Sequence, residues 1–140
     1  MIGPVHNAEP MWVNNRPTAP VEIRMGDEIL CFLHKAVRRA RVSRTIKGSG
    51  KGTVWLHGAS GAQIRCLWGQ RVAIQSKGRR VYLPAEEVRP GDFLYRVVDE
   101  KLTVDPVIAT RQTEEPVLVT IIEVPAVSLL SEEGFLWRLS

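Results

Sequence analysis

The chain has 140 residues, 44% of them hydrophobic, with a formal net charge of +4 and two cysteines. That length favours one domain around one core. No run approaches the ~20 apolar residues of a transmembrane span, and two cysteines cannot staple a disulfide scaffold, so Cys31 and Cys66 are expected as reduced core residues. Gly3, Pro4, His6, Asn7 and Pro10 break up any basic-then-apolar leader, so a cytoplasmic setting with no membrane partner is expected.

Charge is unevenly placed along the chain. Residues 21–80 carry 13 Lys/Arg against Glu22, Asp27 and Glu28, a net of +10. Residues 81–140 carry five basic against 11 acidic residues, a net of −6, and Arg16 cancels Glu9 in residues 1–20. Such a split fits a nucleic-acid face, complementary faces in a self-assembling protein, or solvated strand faces of opposite sign.

Residues 1–20 hold four prolines, three asparagines and no helical or strand period. Proline removes backbone donors and pins φ, so this stretch reads as an extended arm preceding a domain over 21–140. Met11-Trp12-Val13 is its one apolar anchor, expected to dock on the parent domain or on a neighbour.

Val21–His34 reads as a short strand, the turn Gly26-Asp27, and a strand from Ile29 to Leu33. Lys35, Arg38, Arg39, Arg41 and Arg44 alternate imperfectly with Val37, Ala40 and Val42; a solvent-facing strand is preferred to a basic helix over 35–41. Gly48-Ser49-Gly50-Lys51-Gly52 reads as a flexible hairpin tip and lacks the glycine spacing of a phosphate loop. Further strands are expected at 53–57, 62–68, 71–74 and 80–83. A single turn over 84–88, with Pro84 at its start and Glu86 and Glu87 near its positive end, leads to Gly91-Asp92. Strands then follow at 93–98 and 102–108. Val117–Val124, apolar and rich in β-branched residues, reads as a buried strand ended by Pro125, and a final hairpin spans 126–139. Many short strands with almost no helix define an all-β domain.

One pattern occurs twice. Ile23-Arg24-Met25-Gly26-Asp27-Glu28-Ile29 and Val88-Arg89-Pro90-Gly91-Asp92-Phe93-Leu94 both read apolar-x-x-Gly-Asp-x-apolar and both lead into a strand. Gly accepts a positive φ and Asp bonds nearby backbone N–H groups. Two such lead-ins predict two similar half-units.

The ordered set resembles the Hint fold, the Hedgehog/intein autoprocessing domain. Its carriers are Ile23–Ile29, Gly61-Ala62-Gln63-Ile64-Arg65-Cys66, the Ala85 turn with Gly91-Asp92, and Val117–Val124 with Gly134-Phe135-Leu136-Trp137. The resemblance implies a compact Hint-like domain with pseudo-twofold half-units. It also implies stations for self-cleavage: a leading Cys or Ser, a Thr-x-x-His and a terminal His-Asn. This chain begins Met1-Ile2, places Leu67 and Gln70 at the Thr and His positions, and places Arg138 and Leu139 at the last pair. Leu cannot hydrogen-bond and Gln exchanges no proton near neutral pH. Thr18 is a poor nucleophile without a base, and Val5-His6-Asn7 lies at the wrong end of the chain.

Cys31-x-x-His34, with His57 or Cys66, has ligand types but poor spacing for zinc, so no cofactor is expected. No hydrolase triad is visible. The expectation is a non-catalytic module of a multi-subunit assembly, a virion or similar structure. Met11, Trp12, Val13, Lys35, Arg38, Arg39, Arg41 and Arg44 are the interaction candidates, and protein subunits, including further copies of this chain, are the partners. Nucleic-acid binding through residues 35–51 and residual self-processing at Thr18 are the alternatives.

Overall fold

The computed structural model describes residues 1–139. The two Gly-Asp turns share one set of backbone bonds, and Asp27 alone also accepts from Asn14 Nδ2 at 3.1 Å. Gly26 and Gly91 sit at φ +93° and +97°, which glycine adopts without a Cβ clash. The Asp27 carboxylate accepts from the Arg24 N–H at 2.9 Å, and the Asp92 carboxylate from the Arg89 N–H at 2.8 Å. Gly26 N–H donates to the Val42 carbonyl and Gly91 N–H to that of Val107, each at 2.8 Å. A short 3₁₀ turn precedes each, Pro20–Glu22 and Ala85–Glu87. Ile23 and Val88, the apolar residues of the repeat, are buried.

After the first turn come β4 (Glu28–Leu33) and β5 (Ala36–Arg41); after the second come β11 (Phe93–Val98) and β12 (Lys101–Thr113). Each pair closes on a two-residue turn at positive φ, His34-Lys35 and Asp99-Glu100, the conformation that matches the twist of a hairpin. Ala36–Arg41 is thus a strand, and the basic helix over 35–41 does not form.

The remaining strands are β1 (Ile2–His6), β2 (Met11–Val13), β3 (Arg16–Thr18), β6 (Arg44–Gly50), β7 (Thr53–Gly58), β8 (Gln63–Leu67), β9 (Arg71–Ser76), β10 (Arg79–Pro84), β13 (Val117–Glu123), β14 (Ser128–Leu130) and β15 (Leu136–Arg138). One long sheet runs β3-β2-β4-β14-β15-β9-β11-β12-β7-β8, with β5 on β4 and β10 on β9. A second sheet has β13 between β1 and β6. The main core gathers Met11, Ile29, Leu56, Ile64, Leu129 and Trp137, among others. A smaller apolar cluster, Phe32, Ala73, Tyr95, Leu130 and Leu136, lies apart from it, with Arg80 stacked over the Phe32 and Tyr95 rings.

Two expectations need correction. The first 20 residues are extended but are no free arm: β1 pairs with β13 from Ile2 to His6, and β2 pairs with β4. The partner of β1 lies more than 110 residues along the chain, so no local period announces it. Nor is 48–52 a flexible tip. Gly48, Ser49 and Gly50 pair with Val119, Leu118 and Val117 in β13, and a Cβ on Gly50 would crowd Leu67 at 3.1 Å. These glycines are in a strand because facing side chains leave little room. Among the described residues, no helix is long and apolar enough to cross a membrane.

Candidate functional site

The eight interaction candidates do not form one surface. Met11 and Val13 are buried in the core. Trp12 docks on its own domain, its Nε1–H donating to the Glu132 carbonyl at 2.8 Å. Arg44 lies in the other sheet and pairs with Glu123 at 3.7 Å. Lys35 is at the β4–β5 turn, and Arg41 opens on the side of Met25 and Glu123. Trp12, Arg38 and Arg39 do converge. They border a groove of about 500 Å³ with Leu30, Val37, Val97 and Leu130 as apolar lining. Arg39 Nη2 donates to Asn15 Oδ1 at 2.7 Å. Across the groove, Arg96 is held by the Glu133 carbonyl, and the Glu133 carboxylate turns away to the Gln63 N–H. This groove was invisible in the sequence, because its lining comes from strands far apart in the chain.

A second locality collects the stations of the self-cleavage motif. Leu67 and Gln70 bracket the β8–β9 turn, where the Gln70 side-chain oxygen accepts from the Leu67 N–H at 3.0 Å. Arg138 pairs with Arg71, the residue after Gln70. Leu139 lies against Gly3 of β1: a Cβ built on Gly3 would stand 1.9 Å from the Leu139 carbonyl oxygen. The opening strand, the β8–β9 turn and the chain's last described residue thus meet at one corner. The side chains named there are Leu67, Leu139, the Gln70 amide engaged in its own turn, and the guanidinium groups of Arg71 and Arg138. Thr18 lies in β3, its hydroxyl donating to the Arg16 carbonyl at 3.0 Å.

By sequence, no family model and no curated protein matches the chain. By structure, it superposes on the TvoVMA intein with a TM-score of 0.83 at 14% identity, over 96% of this chain and 95% of that one. A DnaB intein from Synechocystis gives 0.82 at 12% identity, over 97% and 98%. The bacterial intein-like domain from Clostridium thermocellum gives 0.78 at 16%, over 97% and 98%. The fold is the Hint fold. The matches span nearly the whole chain, so most of residues 1–20 superpose within that fold.

The chain also buries polar groups beside β1. His6 Nδ1 accepts from the Ala8 N–H at 3.0 Å, so its Nε2–H donates to Thr53 Oγ1 at 2.8 Å. Burial and the Arg65 charge hold its pKa below the ordinary value, favouring the neutral ring. Glu9 accepts from the Arg65 N–H at 2.5 Å, and burial pushes its carboxyl up to about 8. Asn7 takes the Thr120 hydroxyl at 2.7 Å. Val5-His6-Asn7 therefore tie β1 to its neighbours. Burial raises both thiols, Cys66 well above the ordinary range, so neither is poised as a thiolate. Among the described residues, no three His, Cys, Asp or Glu side chains gather as metal ligands.

Proposed function

We propose that this Hint-like domain is non-catalytic and serves as a structural or interaction module, a cytoplasmic or virion-associated component of a multi-subunit assembly. The observation that carries the reading is what stands at the stations of the self-cleavage motif: Leu67 and Gln70 at the β8–β9 turn, and Arg138 and Leu139, the latter packed on Gly3. Acyl transfer there needs a nucleophile and a proton acceptor within hydrogen-bond reach. Leu67 and Leu139 offer no hydrogen-bonding side chain, and the Gln70 amide is spent on its own turn. What remains is a β-scaffold with a groove bordered by Arg38, Arg39 and Arg96 together with Glu100, Glu132 and Glu133.

Native mass spectrometry of the purified full-length chain tests this. An intact chain, alone or in closed oligomers, is expected. A shortened product, abolished by Thr18→Ala, overturns the reading in favour of self-processing. An intact monomer that performs identically in its native context after Trp12→Ala and Arg38→Glu overturns the module role. A second reading, single-stranded nucleic acid, draws support from Trp12 beside Arg38 and Arg39. It expects affinity that falls steeply with salt, measured by fluorescence anisotropy of a labelled oligonucleotide.

A further inference from the structure

β5 is an edge strand, paired with β4 alone. The two-residue turn His34-Lys35 makes Leu33 and Ala36 a hydrogen-bonded pair, so bonded pairs recur at Cys31–Arg38 and Ile29–Ala40. The N–H and C=O groups of Val37, Arg39 and Arg41 therefore point away from the sheet. Among the described residues, no backbone bond reaches them. The same hairpin exposes Lys35, Arg38, Arg39 and Arg41. The only ion pair among the described residues is Arg44–Glu123, so these four cations have no carboxylate partner; even Glu28, opposite Arg41, forms none. Beside the edge runs the groove lined by Leu30 and Val37.

We propose that β5 is a strand-addition site for an extended acidic segment of a partner protein; the proposal rests on the interaction-module reading. An added strand would satisfy three N–H and C=O pairs at once. Carboxylates at alternate residues of it, all on one face, would meet Arg39 and Arg41, which share that face of β5, while Arg38 lies on the opposite face. Charge alone would suit a nucleic acid equally, but a nucleic acid cannot complete the row of alternating donors and acceptors. The competing account is that the arginines merely keep two β5 edges from pairing.

The test titrates a short capped peptide alternating Glu and Val into the ¹⁵N-labelled full-length chain. On binding, hydrogen exchange at the Val37, Arg39 and Arg41 amides should slow by about tenfold or more. A version N-methylated at alternate residues keeps the charge but cannot complete the ladder, and should not protect those amides. Arg39→Glu with Arg41→Glu should weaken binding by about tenfold or more while leaving the circular dichroism spectrum unchanged. No binding at millimolar peptide overturns the proposal. So does binding without amide protection, or displacement of the peptide by oligothymidylate. An intact-mass measurement on the same sample separates the two readings: a self-cleaved chain sinks the non-catalytic reading, while the titration still reports on the edge.

Discussion

Glu9 shows how one buried carboxyl sets a pH dependence. Burial raises its pKa from an unfolded value of 4.5 to about 8 in the folded chain. Below 4.5 both states are protonated and the group is neutral to stability. Between 4.5 and 8 the unfolded chain ionises while the folded one does not, so unfolding releases a proton and stability falls as pH rises. Above 8 the penalty is complete. Glu9→Gln keeps an acceptor for the Arg65 N–H and has nothing to ionise. Its melting temperature should exceed the parent's at pH 8.5 by several degrees and match it near pH 4.5. A parent melting curve independent of pH across this range would contradict the assignment. Gly3 gives a second prediction at this scale. A Cβ there meets backbone, 1.9 Å from the Leu139 oxygen, whereas one on Gly48 meets the flexible ends of Ile121 and Val119 at 3.3 Å. Urea denaturation should show Gly3→Ala costing about 2 kcal/mol or more and Gly48→Ala less than about 1 kcal/mol.

Among the elements, what the sequence disclosed was what is local. The two Gly-Asp lead-ins were legible because the glycine, the aspartate and the N–H it accepts lie within four residues. The β4–β5 and β11–β12 hairpins followed from them. Trp12 was legible as an anchor, because a lone indole among polar residues has few other uses. The glycines of β6 misled the reading: they reflect space taken by β13 residues some 70 positions away, which no window of sequence contains. The paired turns invite a test. Asp27→Ala and Asp92→Ala each remove a charged hydrogen bond to a backbone N–H, worth about 1–2 kcal/mol near the surface. The turns share no partner, so the double mutant should lose the sum of the two single costs within about 0.5 kcal/mol. Unequal single costs would show that the two half-units are alike in geometry but not in energy.

For the molecule as a whole, composition and strand count led to the correct fold class, but the fate of the N-terminus did not follow from them. An arm and a strand can share the same prolines and asparagines; only a partner more than 110 residues away distinguishes them. The same distance hid the corner where Gly3 meets Leu139, so the station residues were readable as types but not as neighbours. The two accounts of residues 1–6 differ sharply in what their removal does. A free arm would leave the melting temperature unchanged. The structure gives β1 five paired positions on β13, a buried Val5, and the His6–Thr53 bond at its end. Burying Val5 contributes about 2 kcal/mol, and each net ladder bond about 1 kcal/mol. Deletion also exposes one side of β13, the central strand of its sheet. Against a total of about 5–15 kcal/mol for a domain of this size, loss of β1 removes most of the margin. The shortened chain should lose its cooperative thermal transition and bind a hydrophobic dye at room temperature, as a domain with one face of its core uncovered would. A cooperative transition within a few degrees of the full-length chain would mean that the second sheet stands without β1.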